Sequence, residues 1–213
     1  MSAIENCIDK NIDGYCLKQF YYTQDDFKTS NKLQVATTCL FIDEAQPAVI
    51  CVTGAGSLIL SRNWFENDDY ETLLSDGQLN QVHYYDNLYI GTGANKIHLS
   101  SNGSVWASHE FTDIQDYHLV KSSYQNTIML VQKLNDQMGK LFKVSFNVMK
   151  NQISVTESLN FVHRNPNGLI DYEPISPIDG IIMTSQIANG QTIIENLDQE
   201  LRLNTMITFD NGD

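Results

Sequence analysis

Short apolar runs alternate with polar turns along the whole chain. "LYIGTG" at 88–93 meets a tight "AN" turn and then "KIHLSSNG" at 96–103. "QPAVICVTG", "TIMLVQKL" and "KLFKVSFNV" are comparable runs, rich in β-branched or aromatic residues. Asx and Gly turns between such runs are hairpin signals, so the pattern predicts a mostly β chain. Three stretches carry helical signals instead. Ser2 and Glu5 form a capping box with Ile4 and Ile8 on one face, which leaves room for a short N-terminal helix. Residues 67–75, "NDDYETLLS", have an Asn cap, early acids and a following Gly77, as one helical turn would. Residues 191–203 place Ile193, Ile194, Leu197 and Leu201 at helical spacing, and only the repeat described next argues for strands there.

The pattern repeats. Thr53-Gly54-Ala55 matches Thr92-Gly93-Ala94, and Leu58, Leu60, Ser61 and Asn63 match Ile97, Leu99, Ser100 and Asn102, every pair 39 residues apart. Units with this grammar open at Asp13, Asp43, Asp86, Asn126 and Asp179, at intervals of 30, 43, 40 and 53 residues. The middle intervals fit one four-stranded propeller blade of about 40–50 residues. The expected fold is therefore a single all-β repeat domain over residues 1–213. A five-bladed β-propeller is the first reading and a β-sandwich the alternative.

Ser100-Ser101-Asn102-Gly103-Ser104-Val105-Trp106 resembles the Asp-box turn of BNR-type repeats, S-x-D-x-G-x-x-W, which closes a hairpin of a propeller blade. Asn102 stands where that family has Asp, and the glycine comes one position early. Asn also folds back onto its own backbone, and Gly supplies positive φ. "SRNWF" at 61–65 and "TQDDF" at 23–27 look like shortened versions. The resemblance implies a propeller, with Trp106 as an anchor between blades. Sialidases share such boxes but use an arginine triad. Here Arg62, Arg164 and Arg202 lie in "SRNW", "HRNP" and "LRLN", outside the expected motif, and sialidase activity is rejected.

Charge then narrows the partners. Twenty-six acids against 13 bases give −13, which disfavours nucleic acid and anionic membrane. It favours a basic protein partner. Residues 1–15 have neither the positive start nor the apolar stretch of a signal peptide, and no apolar run approaches the roughly 18 residues of a membrane helix. Cys7, Cys16, Cys39 and Cys51 fit no zinc or redox spacing. They are read as reduced thiols of a cytoplasmic protein, with two disulfides in a secreted protein as the lesser reading.

Candidate chemistry is sparse. His83, His98, His109, His118 and His163 form no metal motif, and no phosphate loop or nucleophile elbow is present, so no metal, cofactor or catalytic residue is expected. Asp13, Asp43, Asp86 and Asp179 recur at one point of each unit, where a turn role outweighs a glycosidase pair. "NWFENDDYE" at 63–71 sets Trp64, Phe65 and Tyr70 among Glu66, Asp68, Asp69 and Glu71. "FYYTQDDF" at 20–27 offers Tyr22, Asp25 and Asp26 in the equivalent place. Aromatic anchors ringed by one sign of charge suit an interface with a basic protein. The expected function is a non-enzymatic acidic binding module, concretely an inhibitor or immunity protein that occludes a basic toxin or enzyme. A carbohydrate-binding or glycoside-hydrolysing propeller is the alternative, and a structural subunit the third reading.

Overall fold

A computed structural model describes residues 20–22, 28–29, 31–33, 36–42, 48–66, 69–85, 87–112, 117–120, 127–165, 167–175, 181–196 and 198–209. The chain divides into two compact units, Met1–Ser108 and His109–Asp213. The described residues are almost entirely β, as the alternating pattern predicts, with one short helix among them. The unit-opening residues Asp13, Asp43, Asp86, Asn126 and Asp179 fall outside the described residues, as do the N-terminal capping box, Cys7 and Cys16.

In the first unit, β1 (Phe20–Tyr22) and β2 (Asn31–Leu33) form an antiparallel pair. Two four-stranded up-and-down sheets follow. The first is β3 (Ala36–Ile42), β4 (Ala48–Thr53), β5 (Ser57–Ser61) and β6 (Glu71–Ser75). The second is β7 (Leu79–Tyr85), β8 (Leu88–Gly93), β9 (Lys96–Ser100) and β10 (Ala107–Glu110). The 39-residue echo is thus the match of β4–β5 to β8–β9.

Successive residues of a strand face opposite sides, and β4 is apolar from Ala48 to Val52 because both of its faces are buried. Val49 and Cys51 join Ala36, Ile59 and Phe65 in one buried cluster. Ile50 and Val52 point the other way, into a cluster with Ile42, Leu58, Leu79 and Val82. A sheet buried on both faces is what stacking in a propeller requires. The helical turn expected within 67–75 gives way to β6. Leu74 pairs with Leu58, and Leu73 and Leu74 pack on the second cluster, so non-local pairing overrides the local cap signal.

Cys39 and Cys51 face each other across β3 and β4 with Cα atoms 4.1 Å apart, and they form a disulfide. This corrects the reading of these cysteines as reduced thiols. Their spacing of 12 carries no pairing signal, and only the strand register brings the sulfurs together.

In the second unit β11 (Tyr117–Val120), β12 (Thr127–Lys133), β13 (Met138–Asn147) and β14 (Gln152–His163) form another meander. β15 (Tyr172–Pro174), β16 (Ile182–Ile187) and β17 (Leu203–Thr208) extend it, with β16 central. A single pairing, Val162 with Gln186, joins the two parts into one seven-stranded sheet. The ambiguous stretch 191–203 is partly helical: α1 (Gly190–Glu195) buries Ile193 against Met138 and Ile187, and β17 begins only at Leu203.

One glycine fixes how the first unit turns. Gly56 has φ +70°, and its carbonyl accepts the Gly77 and Leu79 amides at 3.1 and 3.4 Å. A Cβ there would stand 2.5 Å from the Gly77 carbonyl carbon. Gly56→Ala is expected to destabilise the chain by about 1–3 kcal/mol in urea unfolding, because strain and backbone collision coincide. Gly77→Ala serves as the control, since it shares the positive φ without the collision and is expected to lose less.

Candidate functional site

Two loops, each carrying a third strand into a fourth, are built the same way. At the end of β9, the Ser100 hydroxyl accepts the Gly103 amide at 2.9 Å and the Asn102 amide at 3.3 Å. Asn102 Oδ1 accepts the amides of Ser104 and Val105 at 2.9 and 3.0 Å, which is an Asx turn. Trp106 Nε1 donates to the Gly103 carbonyl at 2.9 Å, and its indole packs on the cluster of Ile50 and Leu58 and lies edge-on to Tyr89. At the end of β5, the Ser61 hydroxyl accepts the Phe65 amide at 2.8 Å and the Asn63 amide at 3.4 Å. Its proton has Asn63 Oδ1 at 2.8 Å and the Asp69 carbonyl at 3.0 Å in reach.

The β5–β6 loop is the longer of the two and holds the acidic aromatic stretch. Trp64 and Phe65 take left-handed backbone, φ 65° and 61°, which turns both rings inward. Phe65 is buried in the cluster of Val49 and Cys51, and Trp64 packs on that cluster and stacks on Phe41 at 5.5 Å. Glu66, Asp69, Tyr70 and Glu71 are exposed. Asn63 Nδ2 donates to Asp69 Oδ2 at 2.9 Å and orients that carboxylate. Asn63, Asp69, Tyr70 and Glu71, with Leu60, Ser61 and Arg62, line a surface cavity of about 310 Å³. The structure therefore gathers three of the expected interface residues, Asp69, Tyr70 and Glu71, around one cavity and packs Trp64 and Phe65 on the apolar cluster instead. Tyr22 ends β1 opposite Asn31, and Asp25, Asp26 and Asp68 lie outside the described residues.

Two further polar centres carry no sequence signal. His98 in β9 is buried, hydrogen-bonds Ser108 Oγ through Nδ1 at 2.7 Å and has Nε2 3.5 Å from Asp76 Oδ2. Lys96 Nζ donates to the same Asp76 oxygen at 2.8 Å. Burial pushes the His98 imidazole below its ordinary range against the pull of Asp76, so it is neutral near pH 7. The Lys96 hydrogen bond in turn lowers Asp76. In the second unit Arg164 is buried. Its guanidinium donates to the Asn135 and Gly168 carbonyls at 3.1 and 3.3 Å, clamping the β12–β13 turn to the loop after β14. Cavities of about 440 and 620 Å³ lie on either side of it. Among the described residues no three His, Cys, Asp or Glu side chains are grouped to hold a metal ion.

The family model described as "Sortilin, neurotensin receptor 3" matches residues 3–213. The chain belongs to this Sortilin-Vps10 family, a β-propeller family, so the propeller class stands over the sandwich. It is similar to the "Vacuolar protein sorting/targeting protein 10" of three fungi. The Kluyveromyces lactis protein is 27 % identical over 242 residues, covering 98 % of this chain and 14 % of that protein. The Penicillium rubens protein is 25 % identical over 248 residues, covering 96 % and 16 %. The Pyrenophora teres f. teres protein is 24 % identical over 249 residues, covering 100 % and 16 %. The chain thus spans 14–16 % of the length of these relatives.

These findings correct several expectations. The inhibitor or immunity role and the carbohydrate-active alternative are overturned, because the relatives are named for protein sorting. The toxin or enzyme partner falls with them. So do the cytoplasmic location and the exclusion of membranes, since a vacuole is a membrane-bounded compartment and the Cys39–Cys51 disulfide suits an oxidising lumen. A net charge of −13 fits either side of a membrane, which is why charge misled on location.

Two measurements check this architecture. Cys39→Ser with Cys51→Ser is expected to cost about 2–4 kcal/mol in denaturant unfolding. Stability is expected to fall as pH drops below about 6.5, where the unfolded chain binds protons that buried His98 refuses. His83, also lowered by burial, adds to the same slope. His98→Gln should flatten the slope between pH 6.5 and 5 by up to about 1.4 kcal/mol per pH unit.

Proposed function

We infer that the chain is a cargo-binding part of a β-propeller sorting receptor that works in the lumen of the secretory and vacuolar pathway. The family match over residues 3–213 carries this reading. The Cys39–Cys51 disulfide supports the compartment. Sorting requires selective binding and release rather than bond-making, in keeping with a non-enzymatic chain. The two four-stranded sheets of the first unit are taken as propeller blades, and the Ser61–Phe65 and Ser100–Trp106 turns as Asp-box turns with Asn in place of Asp.

The contact surface is the β5–β6 loop. Asp69, Tyr70 and Glu71 present carboxylates and one aromatic ring around a shallow cavity, with Glu66 exposed on the same loop, while Trp64, Phe65 and the disulfide hold the loop from below. Such a surface suits a segment of a cargo protein rich in hydrogen-bond donors, with Tyr70 as the central anchor.

The test uses the immobilised 213-residue chain and individually purified soluble vacuolar proteins, read by surface plasmon resonance. At least one is expected to bind, and Tyr70→Ala with Asp69→Ala to weaken it tenfold or more, while Glu195→Ala on α1 leaves it unchanged. Absence of binding by every vacuolar protein would sink the reading, and unchanged affinity in the double variant would remove the loop from it.

A further inference from the structure

The two turns use the side-chain nitrogen of their Asn differently. In the β5–β6 loop Asn63 is followed by Trp64 and Phe65, and its Nδ2 is engaged by Asp69. In the β9–β10 loop Asn102 is followed by Gly103 and Ser104, which makes the one Asn-X-Ser/Thr triplet in the sequence. This triplet is the acceptor motif for N-linked glycosylation. Asn102 is exposed, and Nδ2 makes no hydrogen bond among the described residues, because the turn uses Oδ1 alone. Ser104 is exposed beside it.

We propose that Asn102 carries an N-linked glycan. The transfer joins Nδ2 to the anomeric carbon of an oligosaccharide carried on a polyprenyl pyrophosphate. The sugar–phosphate bond breaks, the lipid pyrophosphate leaves with its electron pair, and Nδ2 loses one proton. The amide oxygen is untouched, so the finished turn keeps the hydrogen bonds from Ser104 and Val105 with the sugar directed into solvent. Replacing the Asp of the related box by Asn preserves the acceptor for the turn and adds an acceptor for sugar. A glycan at this end of the second sheet keeps that loop out of protein contacts and leaves the Ser61–Glu71 loop as the uncovered one of the pair. The proposal rests on the luminal compartment inferred above.

The test expresses the 213-residue chain behind a supplied secretory leader in yeast and maps its peptides by mass before and after peptide N-glycosidase. The expected result is a glycosidase-sensitive mass on the Asn102 peptide, with Asn102 converted to Asp by the enzyme. Ser104→Ala and Asn102→Asp should abolish it. Asn102→Asp should retain the melting temperature of the deglycosylated parent, since a carboxylate accepts the same amides. Unmodified Asn102 in chains whose Cys39–Cys51 bond has formed overturns the proposal, because that bond shows passage through the oxidising lumen. Cargo binding is measured separately and stands or falls independently.

Discussion

A serine hydroxyl at the end of the third strand organises both sheets of the first unit. Ser61 and Ser100 are buried, and each accepts backbone amides from the residues that follow it. A buried hydroxyl left without partners costs about 1–3 kcal/mol, so the chain beyond each serine must fold back over it. That requirement sets the start of each loop, and the loop sets what is displayed. In the second sheet the return is short and ends on Trp106, which packs into the apolar cluster between the sheets. In the first it runs on to Asp69 and produces the acidic surface.

The displayed surface depends on what lies under it. The Cys39–Cys51 bond, Val49, Ile59 and Phe65 form one cluster, with Trp64 packed against it. The aromatic residues therefore act as the footing of the loop and leave Tyr70 and the carboxylates outward. Disulfide, cluster and loop form a connected chain of cause, which links the redox state of Cys39 and Cys51 to the shape of the exposed loop.

Much of this was legible. The strands around "AVICVT", "TIMLVQK" and the two Ser-x-Asn turns are written in residue types that act within a few positions of themselves. The acidic loop was legible as composition, but the direction of Trp64 and Phe65 was not, because it follows from positive φ forced by the Ser61 hydrogen bonds. The Asn126 unit gave no matching turn signal. β13 and β14 continue directly through a tight hairpin in which Asn147 Oδ1 accepts the Lys150 amide, with no serine at its end. His98 carried no sequence signal, since its partners Asp76 and Ser108 lie 22 positions before it and 10 after.

The sequence alone determined that the chain is all-β and built from a repeated hairpin unit, because turn chemistry and period-two alternation are local and survive in the order of residues. The tertiary structure alone decided the disulfide partner, the joining of seven strands through Val162 and Gln186, and which carboxylates stand in the open. Each of these depends on strand register, and a shift of one residue would reverse every side chain between core and solvent.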